Sequence, residues 1–139
     1  MSRGRPPQKG LDVAIPIAHE RGMVMEFRQT SENLCEFVII GNGSLAMVRV
    51  RKARSLHGTK NMIEADFSGA ITQARTIPCG GPVSRELWLY SRFGVMRFFR
   101  IEEAGLTELD RHGLPLITAP LEPTPKQPEN IPVQGVQEQ

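Results

Sequence analysis

The residues best equipped for chemistry lie in the stretch Leu45–Arg54, LAMVRVRKAR. Arg49 and Arg51 alternate with Val48 and Val50, so on a β-strand both guanidinium groups leave one face. Arginine is seldom fully buried without a partner. The pair therefore predicts either an anion held from outside or an ion pair closed within the protein. A planar guanidinium suits phosphate oxygens, which it can grip with two parallel N–H bonds. Lys52 and Arg54 would lengthen such a basic strip, and Arg3, Arg5 and Lys9 would add a second one at the N-terminus.

Other chemistries have less support. Cys35 and Cys79 are the two cysteines, and neither belongs to a CxxC pair. They read as free thiols, in keeping with a cytoplasmic protein. His19, His57 and His112 are scattered without metal-ligand spacing. No apolar run approaches the roughly 20 residues of a membrane span, and no apolar stretch follows the basic N-terminus as a signal peptide would require. The net charge of +2 hides an asymmetry. From Gly113 onward Lys126 stands against Glu122, Glu129 and Glu138, which gives −2 there and leaves +4 on residues 1–112. That balance permits a polyanionic partner without demanding one.

The elements that must position these residues can be read from pattern. Residues 1–10 predict a flexible basic arm, and 11–112 a single α/β domain. Residues 113–139, with six prolines and no periodicity, predict a disordered tail. Leu11–Arg21 predicts a short helix ended by Gly22 at its C′ position, with Pro16 tolerable only in a first turn. A strand over Val13–Ile15 is the competing reading.

"MVMEFRQ" predicts a strand, and "CEFVII" with "SLAMVRV" a hairpin about Gly41–Gly43. Ile63, Phe67, Ala70, Ile71 and Ala74 share one face of a helix, with Asn61 and Glu64 placed to cap it. "ELWLY" and "VMRFFRI" form a second hairpin, and "GLTELD" a further turn or short helix. The helix between the hairpins supplies a crossover that would set "ELWLY" parallel to the arginine strand. Trp88, Phe98 and Phe99 read as core rather than as base-stacking platforms. Arg85, Arg92, Arg97 and Arg100 are further candidates for backbone contacts.

With these residues in place, the chain from about Gly10 to Leu106 resembles the PD-(D/E)XK nuclease superfamily, and within it archaeal Holliday-junction resolvases. The likeness rests on "GLD" opening a helix that ends "ERG", on "CEFVII", on "LAMVRVRKAR" and on the final "LWLYSRFGVMRFFRI". It implies a restriction-endonuclease-like core, a mixed sheet of about five strands flanked by helices. It also implies a Mg²⁺ site built from a helix acid, an aspartate and a Glu-x-Lys. Carried over residue by residue, these positions are Asp12, Glu36, Arg49 and Arg51, at separations similar to the family's own.

Two of the four residue types cannot do the family's chemistry. Mg²⁺ needs oxygen ligands, and a guanidinium has no acceptor and keeps its charge. The resemblance therefore implies a degenerate site, with Arg49 either on a phosphate or paired with Glu36 or Asp12. The expectation is a protein that binds duplex or branched DNA without cutting it, and a homodimer by resemblance. An active Mg²⁺-dependent endonuclease would need Glu36 with Asp12 or a relocated acid such as Glu64, Glu26 or Asp66. A third reading is a protein-binding structural or regulatory subunit, with the proline-rich tail as a docking segment.

Overall fold

The computed structural model describes residues 8–27 and 33–116. The chain runs α1 (Gln8–His19), β1 (Met23–Glu26), β2 (Phe37–Gly41), β3 (Ser44–Lys52), α2 (Lys60–Asp66), α3 (Ser68–Ala74), β4 (Val83–Tyr90), β5 (Met96–Ile101) and β6 (Leu106–Leu109). The strands form one mixed sheet in the order β1-β2-β3-β4-β5-β6. Only the β3–β4 pair is parallel, in register from Leu45↔Val83 to Lys52↔Tyr90. The helical crossover supplies that parallel pairing, as the sequence predicts. No helix among the described residues is long and apolar enough to cross a membrane.

Alternation along the strands divides the core in two. On one face Phe37, Ile39, Ala46, Val48, Val50, Trp88, Tyr90 and Phe98 pack under α1, which contributes Leu11, Ala14 and Ala18. Trp88 lies edge-on between Phe37 (5.5 Å) and Phe98 (4.8 Å), a favoured aromatic geometry. On the other face Leu87, Leu89, Phe99, Ile101 and Leu106 meet Ile63, Ile71 and Ala74 of α2 and α3. Trp88, Phe98 and Phe99 are thus core residues, as expected.

Several elements differ from the sequence reading. The first helix begins at Gln8, so Lys9 and Gly10 belong to α1 rather than to an arm. Arg3 and Arg5 lie outside the described residues. Val13–Ile15 is helical, and Pro16 sits in the helix interior on its exposed side. The amide that Pro16 lacks therefore costs no hydrogen bond on the buried face. Gly22 does not take the left-handed conformation of a C′ glycine. Its value is close approach: a Cβ there would stand 2.5 Å from the Ile40 carbonyl oxygen.

The single helix expected after the polar connection is two, broken at Phe67 (φ −115°, ψ 29°). Its cap is Thr59, whose Oγ1 accepts from the Met62 amide, and not Asn61. Finally, "GLTELD" forms β6, a sixth strand where about five were expected. Gly113–Leu116 fold back on it, with Leu109 and Pro115 bridged and the Leu116 amide donating to the Glu108 carbonyl. The rest of the tail lies outside the described residues.

Candidate functional site

Glu36 lies just before β2, where that strand and β3 part. Its amide donates to the Val48 carbonyl, and its Oε1 accepts from the Val50 amide at 2.6 Å. The carboxylate thus continues the β-ladder with a side chain where the partner backbone has turned away. This buried acid (4 % exposed) also takes Arg51, whose NH1 stands 3.3 and 3.4 Å from its two oxygens and 2.8 Å from the Val50 carbonyl. The pairing expected for Arg49 is therefore made by Arg51.

Arg49 is placed differently. It is only 4 % exposed, and its Nε and NH1 are buried without a hydrogen-bond partner. No carboxylate among the described residues is in ion-pair contact with it. Burial lowers the affinity of its guanidinium for the proton. Arg51 adds to this, while Glu36 and Cys35 oppose it. The neighbouring Cys35 thiol is pushed up to about 11, chiefly by burial and then by Glu36, against the pull of Arg49. Two guanidinium groups thus lie on a single face of β3, and only Arg51 reaches the Glu36 carboxylate.

Asp12 is not brought to this cluster. It is exposed on α1, which packs against the opposite face of the sheet. Glu64 of α2 is engaged by Arg75 at 3.2 Å, and Glu26 and Asp66 are exposed. Among the described residues no three His, Cys, Asp or Glu side chains converge as a metal-binding group. The four positions implied by the resemblance do not make an oxygen cage suited to Mg²⁺. Two are cations, one carboxylate is already hydrogen-bonded, and the fourth stands apart.

A second grouping follows the arginine strand to its end. Residues 37–63 contain Arg49, Arg51, Lys52, Arg54 and Lys60 and no acid. Arg51 is partly exposed, and Lys52, Arg54 and Lys60 are exposed. Arg51, Lys52 and Arg54 leave the C-terminal edge of the parallel β3–β4 pair, the edge at which open α/β sheets place ligands, and Lys60 opens α2 beyond the connecting loop. α1 brings Lys9 to the same edge, because Gly10 rests against Val50 and the Tyr90 ring. Arg97 fixes the connecting loop: its NH1 donates to the Leu56 and Gly58 carbonyls at 2.8 Å, and the same guanidinium grips Glu108.

Of the remaining arginine candidates, Arg85 is absorbed by the fold. Arg85 is buried and donates to the Ile77, Arg75 and Ile101 carbonyls, satisfying the backbone beyond α3. Arg100 lies 3.8 Å from Glu102, and Arg92 is exposed above Phe93. Sequence reasoning missed Arg21 and Glu86, a bidentate pair (2.9 and 2.8 Å) that also takes the Trp88 indole N–H at 2.8 Å. The signal for it was an acid inside the apolar run "RELWLY". The pair borders a cleft of about 440 Å³ at the start of β3 and β4, away from the basic edge.

No family model, no curated protein and no solved structure matches this chain.

Proposed function

We propose that the protein binds nucleic acid, duplex or branched DNA foremost, through the C-terminal edge of the β3–β4 pair, and that it does not cleave it. One observation carries the reading: an acid-free run delivers Arg51, Lys52 and Arg54 to that edge, where Lys9 joins them. Exposed cations on one edge attract a phosphate backbone and release its counterions on binding. The order of helix, antiparallel strands, helical crossover and parallel strand supports the nuclease-like core that the resemblance implies. Loss of catalysis follows from Arg49 and Arg51 at the Glu-x-Lys positions, since neither supplies an oxygen to a metal.

A salt titration of binding to branched, duplex and single-stranded DNA, read by fluorescence anisotropy, tests the reading. Affinity should fall linearly on a log–log plot with a slope of about −3 to −4, as expected for roughly four phosphate contacts. Joint replacement of Lys52 and Arg54 by alanine should flatten that slope by about two. Absence of binding at low salt, or affinity indifferent to salt, would sink the proposal. Incubation with Mg²⁺ or Mn²⁺ should leave the DNA intact. Metal-dependent cleavage abolished by Glu36→Ala would overturn the inactive assignment.

A further inference from the structure

Arg49 poses a problem that the basic edge does not solve. Its Nε and NH1 carry three of the five N–H bonds of the guanidinium, and both atoms are buried without an acceptor. Buried polar groups are nearly always paired, so an unpaired one calls for a reason. The carboxylate whose field reaches it is committed, because Glu36 accepts from the Val50 amide and from Arg51. Among the described residues, Arg49 and Arg51 thus stand beside the one carboxylate of Glu36, a setting in which an anion would be strongly held. Arg51 lies two residues on along the same face of β3, is partly exposed and acts electrostatically on the buried guanidinium.

We propose that Arg49 is a binding site for one phosphate group, reached past Arg51, and that in the nucleic-acid complex this group is a single backbone phosphate. The phosphate supplies the acceptors that Nε and NH1 lack and neutralises the surplus charge beside Glu36. A turn of the arginine side chain about its own torsions brings the guanidinium to the ligand while β3 stays in register. The identity of the phosphate as part of a nucleic acid rests on the reading above. The site itself does not.

The test compares wild type with Arg49→Met, which keeps an unbranched apolar stem and removes the charge. In chloride buffer the variant should melt no lower than wild type, because an unpaired buried charge is lost. At matched ionic strength, saturating inorganic phosphate should raise the wild-type melting temperature over chloride by about 2–5 °C and leave the variant's unchanged. Duplex affinity should fall about tenfold in the variant, with the salt slope shallower by about one. Equal phosphate shifts in both proteins, or an unaltered slope, would overturn the site while leaving the basic edge intact. A phosphate shift that depends on Arg49 in a protein that ignores duplex DNA would uphold the site and sink the nucleic-acid reading.

Should Arg49→Met fail to fold, the wild-type arginine Nε–H resonance supplies the readout, assigned by its loss in Arg49→Lys. It should move saturably with phosphate and not with chloride. An Arg49 signal that stays fixed while those of Arg51 or Arg54 move would overturn the proposal.

Discussion

At the scale of the residue, Glu36 stands at the junction of β2 and β3, and its carboxylate completes the ladder and offsets Arg51. Glu36→Ala should cost about 3–5 kcal/mol in urea unfolding, since it strands the Val50 amide and leaves two arginines without a counter-charge. Glu36→Gln, which can still accept from Val50, should cost less. Cys35 gives a pH dependence of known sign. Its folded thiol, raised from 9.0 to about 11, keeps its proton where the unfolded thiol has lost it. That contribution is complete below pH 9 and disappears as the pH climbs toward 11, on the order of 2 kcal/mol in all. Cys35→Ala should remove most of this alkaline loss. Cys79 and Tyr90, which burial also pushes up, add to it in the same direction. The sequence placed both arginines on one face, and its expected ion pair of Arg49 with Glu36 fell on the wrong one of the two. Two residues on the same side of a strand are equivalent until the register is set and β2 turns away.

Among the elements, α1 owes its position to Gly10. A Cβ there would stand 2.5 Å from Cε1 of the buried Tyr90 ring. Alanine normally stabilises a helix relative to glycine by about 1 kcal/mol; here the sign should reverse, with Gly10→Ala costing about 1–3 kcal/mol through overpacking. A double-mutant cycle with Tyr90→Leu should show the two changes to be strongly non-additive. The elements legible in advance were those whose signal is local. The Asn42–Gly43 turn and the two runs beside it gave the first hairpin, and of the expected helical face Ile63, Phe67, Ile71 and Ala74 do pack on the sheet. Where the helix breaks at Phe67, and that "GLTELD" pairs as β6, were not legible. Four residues show too few periods to reveal an alternation, and β6 exists because β5 offers it an edge.

Across the whole molecule, Arg21 and Glu86 tie the end of α1 to the centre of the sheet. Arg21 also lies over Trp88 (5.7 Å to the ring centroid), and Gly113 leaves room for its guanidinium. Arg21→Ala would leave a buried carboxylate at 2 % exposure with only the indole N–H as partner. The expected loss is about 3–5 kcal/mol in equilibrium unfolding. Because this lock lies at the opposite end of β3 and β4 from the basic edge, a fully folded Arg21→Met variant should bind DNA with wild-type salt dependence. Weakened binding by that variant would show that the two ends of the sheet communicate.

Residue types and their spacing already carry the α/β architecture, the two hairpins, the parallel crossover and the shared face of Arg49 and Arg51. Each of these follows from residue type and spacing within a short window, or from the length of a connection. Packing in three dimensions is what makes Arg51 hold Glu36, buries Arg49 with Nε and NH1 unpaired, sets Asp12 on the other side of the sheet, and lets Glu86 answer Arg21 across 65 residues. Those outcomes depend on which groups meet once the layers pack, where desolvation makes the choice of partner decisive and local pattern carries no record of it.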